Sequence, residues 1–322
     1  MTSLPGLNTV RFLLALNVLY VHFALYERID TFPLFSGHDA VTMFFVLSGY
    51  LVGYRLLHEQ RTHGTIDVRA FYRRRAWRIL PLYSVLVIVG GVLLPAFGAS
   101  ALSLAALVSV LLLMPQMAYA LGWPMGMIVP LWSVGVEAMF YVFFPLAMRR
   151  CPLPHLCIAV IVFLTALSGA AFLIHSPLLP LLRLMRFECM AVGSLAAWGV
   201  VSRSRWLALA YHRGVERGAL VGLLCVAIGK PILPAHDLTV SLLAIVFLVN
   251  VSTNPDSVCR LEWAWSQAAG QLSYGLYLWH VPVLWALSRL TLGAPFLAAS
   301  VTVSLLLSWA SYVLIERPTK HR

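Results

Sequence analysis

Charged side chains are scarce in this sequence, at 11% of the 322 residues, whereas a typical soluble domain has about 25%. Hydrophobic residues make up 61%, and no polar stretch is long enough to form a separate soluble domain. The short segments of alternating hydrophobicity that mark transmembrane β-barrels are also missing. Apolar runs of roughly 20 residues recur from end to end instead, which predicts an all-α, polytopic integral membrane helical bundle.

The sequence also lacks the short motifs of several enzyme and metal-protein classes. It has no GxSxG, HExxH or Walker A loop, and its five cysteines form no CxxC pair. We therefore predict no metal site and interpret the cysteines as small buried hydrophobic residues. The net charge of +11 comes from basic residues in loops between apolar runs, so it indicates membrane orientation and no nucleic-acid partner.

Loop charges predict how many of the apolar runs cross the membrane. The loop HEQRTHGTIDVRAFYRRRAWR holds more arginines than any other loop, so we place it in the cytoplasm. If run 102–120 does not cross, every other basic loop is cytoplasmic too. We therefore predict about ten spans with both termini cytoplasmic, and run 102–120 as a re-entrant or non-spanning segment; the alternative is that it crosses. The eleven apolar runs are 7–26, 40–57, 78–97, 102–120, 130–148, 154–174, 182–201, 216–231, 236–251, 272–290 and 295–315.

The first apolar run contains Arg11 and His22, although a charge at the bilayer centre costs about 3 kcal/mol even on a lenient scale. Their spacing puts them within about 20° of one helix face and about 16 Å apart along the axis. Arg11 is then near the cytoplasmic end and His22 near the outer end. Each has two interpretations, a functional site or a structural role: snorkelling for Arg11 and a helix–helix hydrogen bond for His22.

Two further features lie on the next two runs. Arg74, Arg75 and Arg78 cluster at the cytoplasmic start of the third run, where guanidinium groups suit phosphates; ordinary orientation charge or lipid-headgroup binding is the alternative. Ser48 and Gly49 in the second run would let a ligand or another backbone come close.

The later runs carry buried polar residues. Glu137 is the only charge in its run and needs a partner such as His22 or an arginine, or a proton; Ser133 lies one turn away. Ser273, Tyr277 and His280 form one polar helix stripe, which is either a structural network or part of a site.

Arg183, Arg186 and Glu188 gather at the outer end of run 182–201. Three charges at this end of a membrane helix form a candidate binding site for a polar acceptor. Anchoring of the helix at the membrane interface is the alternative.

These motifs together resemble the membrane-bound acyltransferase 3 family. They occur in the family's order and extend over the whole chain. Each is weak alone, but six in order are specific. The matches are Arg-x10-His from Arg11 to His22, FFVLSG at 44–49, RRAWRILPLY at 74–83, WSVGVE at 132–137, SYGLYLWH at 273–280 and YVLIERP at 312–318.

The resemblance implies an O-acyltransferase, usually an acetyltransferase, in a bacterial inner membrane. Such enzymes move an acyl group from cytoplasmic acyl-CoA to a glycan, lipid-linked sugar or secondary metabolite. Some members add an extracytoplasmic hydrolase-like domain, whereas we expect a single membrane domain over 1–322. Thr42 stands where many members have Asp, so Asp39 is a candidate to replace that carboxylate.

The resemblance and the residue positions assign roles. His22 is the expected general base, and Glu137 would orient it or balance its charge. Expected partners are acyl-CoA, a glycan or glycoconjugate acceptor and membrane lipids; oligomeric state stays open, and a transporter or flippase of lipid-linked sugar is the alternative. Acyl-CoA binding is expected at Arg11, Arg74, Arg75, Arg78, Ser48, Gly49, Tyr277 and His280, and acceptor binding at Trp132, Ser133, Arg183, Arg186 and Glu188.

Overall fold

The computed structural model describes residues 4–29, 34–176, 179–229, 236–290 and 295–319. These residues form helices and one isolated β-bridge, between Leu102 and Met125. The α-helices are α1 (Leu7–Glu27), α2 (Gly37–His63), α3 (Val68–Ile88), α4 (Leu94–Ala96), α5 (Leu104–Leu111), α6 (Pro115–Ala120), α7 (Leu131–Met148), α8 (Leu153–Leu173), α9 (Leu179–Met185), α10 (Phe187–Ser202), α11 (Trp206–Ala210), α12 (Arg213–Ile228), α13 (His236–Thr253), α14 (Ser266–Ser288), α15 (Pro295–Ser311) and α16 (Arg317–Thr319).

Local sequence explains where several of these helices begin and end. Ser36 and Asp67 accept hydrogen bonds from backbone N–H groups in the first turns of α2 and α3, as N-cap residues do. Ser103 caps α5 in the same way. Gly64 ends α2 in the left-handed conformation, with φ 75°, which glycine adopts without a steric penalty.

Eight stretches of the described residues are helical, long and apolar enough to cross a membrane. The prediction of an all-α chain with several candidate membrane-spanning helices is therefore confirmed for the described residues, whereas the count of ten stays a prediction. Runs 216–231 and 272–290 correspond to α12 and α14, which are not among the eight. Run 216–231 extends beyond the described residues, which end at 229 in this part of the chain. The eight are Leu7–Glu27, Gly37–His63, Val68–Ala96, Leu131–Met148, Leu153–Leu173, Leu179–Ser202, His236–Thr253 and Pro295–Glu316.

Run 102–120 is not one helix. It contains α5 and α6, which have 8 and 6 residues, far fewer than the roughly 20 that a membrane crossing needs. Leu113 lies between them with a left-handed φ of 58°, which interrupts any continuous helix. The side of the membrane on which this segment lies stays a prediction.

The chain divides into two compact units, which do not follow its order. In the unit formed by 1–14, 32–66 and 142–267, α10 packs against α2, α8 and α13. Gly49 and Gly193 lie where α2 and α10 meet, and a side chain at either position would collide with the facing backbone. The Ser194 hydroxyl donates to the Gly49 carbonyl at 2.9 Å in this contact.

The second unit consists of 15–31, 67–141 and 268–322. The Tyr274 hydroxyl donates to the Ile79 carbonyl at 3.2 Å, which ties α14 to α3. The Trp279 indole donates to the Ser311 hydroxyl at 2.8 Å and ties α14 to α15. These bonds fix the helix that carries the SYGLYLWH motif.

Candidate active site

Two histidines from different helices meet in the second unit. His22 lies on α1 and His280 on α14, and their ring centroids are 4.8 Å apart with 59° between the planes. His22 is partly exposed, whereas His280 is fully buried. The structure therefore brings together two residues for which the sequence predicted separate roles.

Hydrogen bonds to backbone carbonyls define the tautomers of this pair. The Nδ1 atom of His22 lies 2.9 Å from the Val18 carbonyl oxygen, and that of His280 lies 2.6 Å from the Tyr277 carbonyl oxygen. Because a carbonyl can only accept, each Nδ1 carries a hydrogen when the ring is neutral. Each Nε2 then keeps its lone pair, which can accept a hydrogen bond or a proton.

A second contact joins the SYGLYLWH and WSVGVE motifs. The Tyr277 and Ser133 hydroxyl oxygens are 2.7 Å apart, and Tyr277 also packs against His280, with ring centroids 5.7 Å apart. Trp132 beside Ser133 stacks on Tyr119 at 5.2 Å. His280, Tyr277 and Ser133 thus form one connected polar group.

Arg75 is held by two aromatic rings. Its guanidinium carbon lies 4.6 Å from the Tyr141 ring centroid and 5.4 Å from that of Phe71. Glu137, Arg74 and Arg78 are close enough to interact with its charge. Glu137 also interacts electrostatically with Tyr274.

The remaining predicted acyl-CoA residues belong to the other unit. Arg11 lies, partly buried, on the first half of α1. Gly49 lies against the Met190 backbone, which accounts for the small residue at this position by helix packing. Acyl-CoA binding by Arg11, Ser48 and Gly49 stays a prediction.

Arg186 is the centre of a polar network in this first unit. Its side chain is 4% exposed, and it donates to the Thr42 hydroxyl at 2.9 Å, to the His38 carbonyl at 3.1 Å and to His38 Nδ1 at 2.6 Å. Since His38 Nδ1 accepts, His38 Nε2 carries the hydrogen and donates to Asp237 at 2.7 Å. Thr42 donates to the same Asp237 oxygen at 2.9 Å.

Asp39 and His236 extend this network. The His236 Nε2 atom lies 2.7 Å from a carboxylate oxygen of Asp39, and the Ser36 hydroxyl donates to the other oxygen at 2.7 Å. Sequence reasoning did not find His38, His236 or Asp237. The available signal was the His-Asp dipeptide that occurs twice, each time at the start of an apolar run.

The other two predicted acceptor residues also lie in the first unit. The guanidinium of Arg183 lies 5.6 Å from the centre of the Phe172 ring. Glu188 interacts electrostatically with Asp237 and Arg186. Substrate binding by Arg183, Arg186 and Glu188 stays a prediction, and no group of three metal-ligating side chains occurs within the described ranges.

Comparison with known proteins identifies related sequences. Residues 4–313 match the family model Acyl_transf_3, described as an acyltransferase domain. The chain is 26% identical to the exopolysaccharide production protein ExoZ of Rhizobium meliloti, over 89% of this chain and 90% of ExoZ. It is 24% identical to the O-acetyltransferase OatA of Staphylococcus aureus, over 87% of this chain but only 50% of OatA. No solved structure matches.

Proposed function

The chain belongs to the acyltransferase 3 family, and from this premise we propose that it is an integral-membrane O-acyltransferase that uses acyl-CoA. It moves the acyl group, acetyl in the simplest case, to a hydroxyl of a glycan or glycoconjugate. The name of ExoZ refers to exopolysaccharide and that of OatA to O-acetyl transfer. These relatives support a sugar hydroxyl as the acceptor and acetyl as the acyl group.

The tautomer of His22 carries the proposal. Its Nδ1–H is engaged by the Val18 carbonyl at 2.9 Å, so the lone pair is on Nε2. A general base needs such a lone pair within hydrogen-bond reach of the proton that it removes. We assign this role to Nε2 of His22, acting on the acceptor hydroxyl.

The proposed reaction is a direct transfer. The acceptor oxygen attacks the thioester carbonyl carbon while its proton passes to His22 Nε2. The C–S bond breaks as the new C–O ester bond is completed, and the CoA sulfur takes the proton from His22. The products are the acyl ester and free CoA, and His22 returns to its starting state.

Acyl-CoA recognition is assigned to the arginines of α3. Arg74, Arg75 and Arg78 present guanidinium groups, which bind phosphate oxygens through paired N–H donors. The aromatic contacts of Arg75 at 4.6 and 5.4 Å support a fixed guanidinium plane. Glu137 interacts electrostatically with Arg75 and would balance part of the positive charge; its action on His22 remains an expectation from the sequence.

The test uses purified protein in nanodiscs with radiolabelled acetyl-CoA and water as the acceptor, so that CoA release and acetate formation report slow hydrolysis of the thioester. His22→Ala should keep saturable acetyl-CoA binding and lower the rate of CoA release at least 100-fold, because general-base catalysis contributes about 10²–10⁴. The matched control is His155→Ala, which changes an exposed histidine on α8 and should behave as wild type.

Two outcomes would contradict the proposal. Near-normal CoA release by His22→Ala would show that another group is the base. Failure of the folded wild type to bind acetyl-CoA or any longer acyl-CoA would favour the transporter or flippase, which needs no thioester.

A further inference from the structure

His280 has a buried nitrogen that the proposed reaction does not use. The residue is fully buried, and its Nε2 atom makes no hydrogen bond to any residue that the structure describes. Its Nδ1–H is engaged by the Tyr277 carbonyl, so Nε2 is an acceptor and not a donor. A buried acceptor without a partner is destabilising. A hydrogen-bond donor placed next to His280 Nε2 would therefore be favourable.

The neighbouring ring of His22 also carries an Nε2 atom that can only accept when the ring is neutral. The two rings are in contact, with centroids 4.8 Å apart, and each neutral ring has its hydrogen on the nitrogen that faces its own helix. Two lone pairs cannot satisfy each other without a hydrogen between them. The pair therefore suits a ligand that brings two hydrogens to neighbouring positions.

The number of donors limits the chemistry of that ligand. A single hydroxyl has one hydrogen, and in the proposed reaction that hydrogen goes to His22. A metal ion would need three or four protein ligands, and no cluster of three candidate side chains exists in the described parts of the chain. Two adjacent hydroxyl groups on one ring provide two hydrogens close together, which suits two imidazole rings in contact.

We propose that His22 and His280 together recognise a vicinal diol, the grouping that is repeated around sugar rings. The hydroxyl to be acylated donates to His22 Nε2 and loses its proton there. The neighbouring hydroxyl donates to His280 Nε2 and keeps its proton throughout. This inference rests on the proposed acyltransferase function and adds that His280 determines specificity for the acceptor.

The probes are three small alcohols, supplied with radiolabelled acetyl-CoA to the protein in nanodiscs. They are cis-1,2-cyclohexanediol, 2-methoxycyclohexanol, which replaces the second O–H by O–CH₃, and cyclohexanol, which lacks the second oxygen. Wild type should acetylate the diol about tenfold faster than either analogue, because a site with a buried acceptor discriminates against a ligand that leaves it unpaired.

The variant His280→Asn tests the residue itself. Asn keeps a short amide N–H for the Tyr277 carbonyl and lacks a nitrogen at the Nε2 position. The ratio of the diol rate to the cyclohexanol rate should therefore fall from about ten in wild type to about one in the variant, whatever the absolute rates. Equal rates on all three alcohols in wild type would overturn the inference, and so would an equal fall on diol and cyclohexanol in the variant.

A second measurement detects binding of the alcohols even when they are not acetylated. Diethyl pyrocarbonate modifies accessible imidazoles, and peptide mass spectrometry reports the modification of His22. In wild type the diol should protect His22 from modification better than cyclohexanol does. In His280→Asn the two alcohols should protect His22 to the same extent. Protection by neither alcohol would overturn the inference. Since this readout needs no acyl-CoA, diol protection without acetyl-CoA binding would reject only the proposed function.

Discussion

Arg75 combines contacts with two aromatic rings with the proposed role in binding acyl-CoA. A guanidinium is planar and stacks on aromatic rings, whereas a lysine ammonium is a compact charge without a face. We predict that Arg75→Lys raises the apparent KM for acyl-CoA about tenfold, because cation–π contacts at 4.6 and 5.4 Å are each worth about 0.5–2 kcal/mol. Steady-state kinetics with varied acetyl-CoA measures this change.

The matched control for this prediction is Arg73→Lys, which changes an exposed arginine two residues earlier on α3. Its KM should stay close to that of wild type. The same rise in both variants would mean that general surface charge, not the stacked guanidinium, attracts the donor. An unchanged KM in both variants would mean that Arg74, Arg75 and Arg78 do not bind acyl-CoA and serve only to orient the protein in the membrane.

Arg186 connects the starts of three helices through hydrogen bonds. It donates to the Thr42 hydroxyl and to His38 on α2 and forms an ion pair with Asp237 on α13 at 3.8 Å. Lys keeps the charge but cannot reach several acceptors at once, so Arg186→Lys should lower the free energy of unfolding by about 1–3 kcal/mol. Thermal unfolding of the purified protein, with Arg183→Lys as control, measures this loss.

This comparison also tests the sequence prediction that Arg186 binds the acceptor. A structural role predicts a lower melting temperature for Arg186→Lys than for Arg183→Lys, with the acceptor KM of the folded fraction unchanged. An unaltered melting temperature together with a raised acceptor KM would instead assign Arg186 to substrate binding.

At the scale of helices, the contact between α2 and α10 depends on glycine. A Cβ atom at Gly53 would lie 2.9 Å from the Ser194 Cα, and one at Gly49 would overlap the Met190 carbonyl group. Small residues four apart let membrane helices approach closely. Gly49→Ala should therefore destabilise the protein by about 1–3 kcal/mol through overpacking, measured as a lower melting temperature in detergent.

Gly169→Ala is the control for this helix contact. Gly169 lies on α8, and a Cβ atom there would meet nothing within 4 Å. Because Ala favours a helix over Gly, this variant should be as stable as wild type or slightly more stable. If Gly49→Ala has the same melting temperature as wild type, α2 and α10 can move apart without loss of stability.

Periodicity and composition predict the helices well and the contacts between them only in part. Long apolar runs identify membrane helices because backbone groups in lipid must be satisfied within the helix. The Ser133–Tyr277 contact and the His22–His280 pair join segments that are more than 140 residues apart, so no local pattern defines them. The network around Arg186 was missed for the same reason, although both His-Asp dipeptides are visible in the sequence.

At the scale of the whole molecule, the topology depends on the segment between α3 and α7. Its two helices of 8 and 6 residues are too short to cross a bilayer, and the loop charges predict that the arginines following α7 are cytoplasmic. Residues on either side of α7 should then face opposite compartments. Whether this segment crosses therefore determines the orientation of every later helix.

Single cysteines test this arrangement directly. The interpretation of the cysteines as buried residues is wrong for Cys151 and Cys225, which are exposed. Cys151, just after α7, is kept alone in one variant by replacing the other four cysteines. Leu121→Cys, at a position 56% exposed, is the only cysteine in another. A membrane-impermeant thiol reagent should label position 121 in intact spheroplasts and Cys151 only after lysis. The reverse pattern would mean that 102–120 crosses the membrane, and labelling of both after lysis confirms that each thiol is reactive.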